Sequence, residues 1–143
     1  MNLENIIQPH ELDHSKHDNL IKNINSYLIK QPDILPLAMN AYYKLKNNAH
    51  KGGWLESDID LLLLKYEGNF KSYDAWYEVP FADSTLLLFE MKTNDSGKNY
   101  SKALYQLYRS KHMIMDYTPY QFIDCFYAFN DEGNAIWRME HII

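Results

Sequence analysis

Glu90 and Lys92 are the two residues whose types and spacing are best suited to chemistry on a substrate. They end an apolar run, Leu86-Leu87-Leu88-Phe89, that is typical of a buried strand. Because side chains two residues apart on a strand share a face, the carboxylate and the amine emerge together and Met91 points the opposite way. A buried charge is costly unless it is paired or meets a metal ion. The pattern therefore predicts that this strand ends at the edge of a cleft.

A second carboxylate, Asp74, lies in residues 70–79, an aromatic-rich segment that we predict to be the preceding strand. A turn predicted near residues 82 and 83 makes these two strands an antiparallel pair. Asp74 is then expected opposite Glu90 or Met91, within cross-strand reach. Asp60 is the alternative partner of Glu90 if residues 59–64 form a strand, although it lies further from Glu90 along the chain.

Two carboxylates placed in this way form a pocket of hard oxygen ligands suited to Mg²⁺ or Mn²⁺. Such a metal polarises a phosphodiester and lowers the pKa of a bound water. Lys92 beside it can hold or deprotonate that water, and it can neutralise charge on the attacked phosphate. The alternative interpretation of Glu90 and Lys92 is an ion pair on the surface of an ordinary α+β domain.

An amphipathic helix is predicted over residues 99–115, because apolar side chains recur there at intervals of three and four. Residues 92–111 contain five basic side chains and one acidic side chain, in a chain whose net charge is −5. Basic groups in and beside the helix that could hold phosphates are Lys98, Lys102, Arg109 and Lys111. A solvated helix face is the alternative interpretation of these charges.

These motifs together resemble the PD-(D/E)xK phosphodiesterase superfamily over about residues 70–112. The resemblance rests on Asp74, on Glu90-Met91-Lys92-Thr93 and on the helix segment Lys-Ala-Leu-Tyr-Gln-Leu-Tyr-Arg. It implies that Asp74 and Glu90 are metal ligands, that the Met91 carbonyl is a third candidate ligand, and that Lys92 is the catalytic lysine. It also implies that Gln106 matches the helix glutamine of RecB-like members and steadies the lysine or the water.

The sequence departs from the family pattern at two points. Asp74 follows a tyrosine and not a proline. Family members often carry an acidic residue in an early helix, and Glu56 and Glu67 are both candidates for that residue here.

The order of predicted elements indicates an α+β fold with a mixed β-sheet flanked by helices. The resemblance implies a restriction-endonuclease-like core, αβββαβ, with extra N-terminal helices and a C-terminal hairpin. We expect one domain over residues 1–143, with the N-terminal helices in residues 1–50 and the catalytic core in residues 55–142. The predicted elements are helices at 11–30, 34–48 and 99–115, strands at 70–79, 85–93, 120–129 and 135–142, and a helix or strand at 55–66.

The cysteine count, the N-terminal sequence and the histidine positions restrict the class of protein further. A single cysteine, Cys125, cannot form an internal disulfide and is predicted to be buried. The first residues lack the pattern of a signal peptide, and no apolar run is long enough to cross a membrane, so we expect a soluble cytoplasmic protein. His10, His14 and His17 share one helix face, where they could form a metal trio but better suit a solvated helix end.

The sequence therefore predicts a Mg²⁺- or Mn²⁺-dependent nuclease, with DNA as the expected substrate and RNA as an alternative with the same phosphate. A catalytically inactive nuclease fold that serves as a binding or interaction module is the second interpretation, with Glu90 and Lys92 as a relic ion pair. A small interaction protein is another, in which the tyrosine-rich strands make a homodimer surface.

Overall fold

The computed structural model describes residues 7–9, 11–47, 53–66, 81–131 and 136–143. Within these ranges the chain forms two helices, six strands and one short 3₁₀ turn. The elements in chain order are β1 (Ile7–Pro9), α1 (Lys16–Leu28), β2 (Ile34–Asn47), β3 (Gly53–Tyr66), the 3₁₀ turn (Phe81–Asp83), β4 (Ser84–Lys92), α2 (Gly97–Tyr117), β5 (Ile123–Asp131) and β6 (Ile136–His141). The predicted α+β class is confirmed.

The six strands form one mixed sheet in the order β1-β2-β3-β4-β5-β6. All neighbouring strands are antiparallel except β4 and β5, which are parallel. A parallel pair requires a crossover connection, because the chain must return to the same end of the sheet before it starts the second strand. Helix α2 provides this crossover, which places its start next to the end of β4.

The two helices pack on opposite faces of the sheet. Apolar side chains of α1 pack against one face, and those of α2 pack against the other. The α1 core contains Leu20, Ile21, Ile24, Leu61, Leu63, Leu87, Phe89 and Met91, and the α2 core contains Leu62, Leu64, Leu86, Leu88, Leu107, Met113 and Ile114. Residues 59–64 of β3 and 86–91 of β4 are thus buried on both faces, which explains why these segments are rich in leucine and lack an alternating pattern.

The predicted helix over residues 34–48 is wrong, because residues 34–47 form β2. This strand pairs with β3 along nearly its whole length, from Ile34↔Lys65 to Asn47↔Gly53. A register shift between Pro36 and Ala38 interrupts the ladder next to the proline, which has no N–H to donate. Helix propensity is a weak preference that tertiary pairing overrides, and here the ambiguous segment 55–66, as strand β3, provides the pairing.

The other predicted elements within the described residues are confirmed, with shifted ends. Helix α1 begins at Lys16, after a cap by Ser15, and α2 extends two residues beyond the predicted helix at each end. Strands β4, β5 and β6 lie where strands were predicted, and Cys125 is buried. Neither described helix combines the length and apolar character that a membrane span requires.

Candidate active site

Asp60 lies at the point where β3 and β4 separate. The ladder between these strands runs from Tyr66↔Ser84 to Leu61↔Phe89, and one further step would set Asp60 opposite Glu90. Beyond the last pair, the Met91 N–H donates to Asp60 Oδ2 over 2.8 Å. The Asp60 side chain therefore takes the place of a backbone carbonyl and sits inside the fork between the two strands, which we call the fork site.

Asp60 and Glu90 lie close together in the fork site, and Asp60 is one of the causes of the raised pKa of Glu90. The two residues are only 5% and 4% exposed. Burial and then the charge of Asp60 raise the pKa of Glu90 well above its usual range, although the charge of Lys92 opposes this effect. Two neighbouring buried carboxyl groups cannot both ionise at low cost unless a proton or a cation lies beside them.

Lys92 joins this pair from the same face of β4. Its Nζ lies 3.3 Å from Glu90 Oε1 and 3.4 Å from Gln106 Oε1. Gln106 stands on α2, which the buried Ala103 and Leu107 hold against the sheet. Strand parity and helix packing thus bring together Glu90, Lys92 and Gln106, as the sequence predicted. Their chemical roles stay predictions.

Helix α1 brings a histidine to the fork site from the other side of the sheet. Ser15 caps the helix by accepting a hydrogen bond from Asp18 N over 3.2 Å, and Asp18 Oδ2 accepts one from Asp13 N over 2.8 Å. These bonds fix the first turn. His17 Nε2 then lies 3.3 Å from Asp60 Oδ2, and its Nδ1 lies 3.0 Å from Asp18 Oδ1.

The paired carboxylates change the charge of His17. The hydrogen bond to Asp60 raises the pKa of His17 to about 9, with a further contribution from Asp18 and an opposing one from partial burial. At neutral pH the ring is therefore an imidazolium that donates to both carboxylates. The expectation that this histidine belongs to a solvated helix end is wrong. A serine cap two residues earlier marked the helix start in the sequence, but nothing local showed that this turn faces β3.

The oxygen donors of the fork site fit a small divalent cation. In a strand, the N–H and C=O of one residue point to the same side, so the Met91 carbonyl faces the fork as its N–H does. Among the described residues, no set of three His, Cys, Asp or Glu side chains is arranged to hold a metal. The fork site instead offers two carboxylates and one carbonyl. Mg²⁺ commonly binds through one or two carboxylates and keeps several waters.

Asp74, predicted to be the partner of Glu90, lies outside the described residues, as do the strand predicted at 70–79 and Glu67. The predicted hairpin with β4 is wrong, because residues 84–89 pair with β3 on one side and residues 86–92 pair with β5 on the other. Asp60, the alternative partner predicted for Glu90, lies beside it in the structure. Glu56 lies in strand β3 and therefore does not supply an early-helix carboxylate.

A groove of about 830 Å³ opens beside the fork site along α2. Its described lining residues are Tyr42, Asp58, Lys92, Ser101, Lys102, Tyr105, Gln106 and Arg109. Lys92 and Gln106 contribute to both places, so the groove adjoins the fork site. Its charged lining consists of three cations and one anion, which makes it attractive to phosphate despite the negative charge of the chain.

Two of the four predicted phosphate contacts, Lys102 and Arg109, line this groove. Lys111 lies outside the described lining of the groove, close enough to Cys125 for its charge to oppose the rise in the thiol pKa. Lys98 is exposed in the first turn of α2, outside the described lining of the groove.

The comparisons with known proteins return no relative. No protein-family model matches the chain, and neither a curated protein nor a solved structure shows significant similarity to it.

Proposed function

We propose that the protein is a Mg²⁺- or Mn²⁺-dependent phosphodiesterase that cleaves nucleic acid, with DNA as the first substrate to test. The observation that carries this proposal is that the buried carboxyl groups of Asp60 and Glu90 meet where the β3–β4 ladder ends, with the Lys92 ammonium group 3.3 Å from Glu90. A pair of this kind costs free energy unless it binds a cation, so its presence at the mouth of a groove favours metal binding over a structural purpose.

Each residue of the fork site has a proposed role. Asp60, Glu90 and the Met91 carbonyl would hold the metal, which would supply Lewis acidity toward the phosphate and lower the pKa of a water molecule. Lys92 holds the attacking water or neutralises the phosphate, and the Gln106 carbonyl oxygen orients the Lys92 amine. His17 is a positioning residue, because it donates to Asp60 and sets the direction of that carboxylate.

The order of elements gives separate support. Helix α1, strands β2 to β4, helix α2 and strand β5 follow one another as αβββαβ, with the glutamate and the lysine at the end of the third strand. This is the order that the resemblance to PD-(D/E)xK enzymes implies. This assignment makes α1 the first helix of the core, so the core starts before residue 55, where the sequence analysis placed its beginning. Strands β1 and β6 are added at the two edges of the sheet.

A cleavage assay tests the proposal. Wild type is expected to cut single- or double-stranded DNA with Mg²⁺ or Mn²⁺ and to stop when a chelator is added. Glu90→Gln and Lys92→Ala are expected to abolish cutting. Asp83→Asn, an exposed carboxylate before the opposite end of β4, is the matched control and is expected to cut as wild type does. Equal cutting by all four proteins would remove the assignment.

One observation favours a second function, that of an inactive binding module. The carboxyl groups of the fork site already face two cationic side chains, His17 and Lys92, so the local charge is balanced without a metal. A thermal melt separates the two functions. A metal site predicts a rise in Tm with Mn²⁺ that Glu90→Gln removes, whereas a purely structural ion network predicts no rise in either protein.

A further inference from the structure

Helix α2 presents a cation, an aromatic ring and a second cation in succession to the groove. Lys102 and Arg109 stand seven residues apart, and Tyr105 lies between them on the same wall. Tyr105 is 67% exposed although it lines a groove. Most of its ring surface is therefore open to whatever occupies that space.

We infer that this groove binds a single strand of nucleic acid, with one base stacked on Tyr105, an inference that rests on the proposed phosphodiesterase function. A cationic groove that follows the backbone, combined with aromatic rings that take the bases, is how proteins hold single strands. The Lys102–Arg109 pair supplies the cations and Tyr105 supplies the ring.

The dimensions of α2 agree with this occupant. Seven residues of helix rise about 10 Å. Stacked nucleotides rise about 3.4 Å each and unstacked ones are more extended, so at most about three nucleotides separate two phosphates held by Lys102 and Arg109. A base of the intervening nucleotides then lies at the level of Tyr105.

A duplex uses this arrangement poorly. Its bases are stacked on one another, so their faces are closed to an outside ring and only phosphates, sugars and base edges remain to be contacted. A tyrosine ring can stack only on a base that is not already stacked between two neighbouring bases. The anionic Asp58, which also lines the groove, favours a strand whose phosphates run along α2, because it repels phosphates that approach it.

The test is equilibrium binding of the full chain to a fluorescein-labelled oligothymidine and to a hairpin duplex of the same DNA length, by anisotropy. A chelator is present throughout, so that binding is measured without cleavage. Wild type is expected to prefer the single strand. Tyr105→Ala is expected to weaken single-strand binding by about 5- to 150-fold, the loss of one base–aromatic stack, and to leave duplex binding nearly unchanged.

Three variants sharpen the result. Tyr105→Phe keeps the ring and is expected to bind as wild type does. Tyr108→Ala, an exposed tyrosine of the same helix outside the described groove lining, is the matched control and is expected to have no effect. Lys102→Ala is expected to weaken the binding of both substrates by the same factor. It is also expected to reduce the salt dependence of the binding constant by the equivalent of about one phosphate contact.

The inference is overturned if Tyr105→Ala changes single-strand and duplex binding by the same factor, if it changes neither, or if wild type binds neither substrate. It can fail while the nuclease assignment holds, since metal-dependent cleavage is measured separately. Conversely, Tyr105-dependent single-strand binding by a protein that never cuts would refute the phosphodiesterase and leave the groove assignment intact.

Discussion

His17→Gln in chelator-treated protein tests the charge network of the fork site. A pKa raised from 6.5 to about 9 corresponds to about 3.4 kcal/mol for a fully buried group. The His17 side chain is 34% exposed, and solvent screening therefore reduces the expected contribution to about 1–2 kcal/mol. The imidazolium ring contributes this stability through Asp60 and Asp18.

The sign of the pH dependence follows from the raised pKa. The folded state holds the His17 proton more tightly than the unfolded state does, so the contribution is fully present below pH 6.5 and is lost as the pH rises toward 9. Near pH 6, the free energy of unfolding of wild type is expected to exceed that of His17→Gln by about 1–2 kcal/mol. Above pH 9 the two free energies are expected to become nearly equal.

Urea denaturation at a series of pH values from 6 to 9.5 measures this difference. His14→Gln provides the control, because His14 is exposed and lies three residues before His17, just ahead of the helix cap. A gap between wild type and His17→Gln that stays constant across the series would refute the assignment of His17 as an imidazolium paired with Asp60. A gap of the same size for His14→Gln would show that the effect belongs to any histidine at this helix end.

Further outcomes are expected elsewhere in the molecule. Asp60→Asn should reduce the rate of plasmid cleavage by about 100-fold or more, because it removes a proposed metal ligand. Asp74→Asn should cleave plasmid at the wild-type rate. The reverse result would assign the ligand role to Asp74. Cys125 is fully buried, and burial is the main cause that raises the pKa of its thiol to about 11. The thiol should therefore react with a disulfide reagent only when urea unfolds the chain. Fast labelling of the native protein would contradict this packing. Ile24→Ala should lower the free energy of unfolding by about 2–5 kcal/mol in urea titrations, since the side chain is fully buried between α1 and the sheet.

The pair of Glu90 and Lys92 could be predicted from sequence because its geometry is local. Strand parity alone places both side chains on one face, and the apolar residues before them specify a strand. Gln106 was predicted from the resemblance to RecB-like members, and α2 brings its side chain within 3.4 Å of the Lys92 amine. The prediction for Glu90 and Lys92 needed only the period of a strand.

The carboxylate partner depended on strand order, which the sequence left open. Asp74 was favoured because a hairpin between consecutive predicted strands is the shortest connection. The sheet instead pairs β4 with β3, and the leucines of both strands face both helical layers. Hydrophobic burial on two faces thus decided the pairing, and with it the identity of the aspartate in the fork site.

The sequence by itself determined a mixed α+β domain, a strand that ends in a glutamate and a lysine, and a basic amphipathic helix beside them. Only the tertiary structure decided that residues 34–47 form a strand, that Asp60 lies beside Glu90, and that His17 reaches the fork site from the opposite face of the sheet. The physical reason is range. Side-chain periodicity acts over a few residues, whereas a site formed by residues 17, 60, 90 and 106 depends on which surfaces can be buried together.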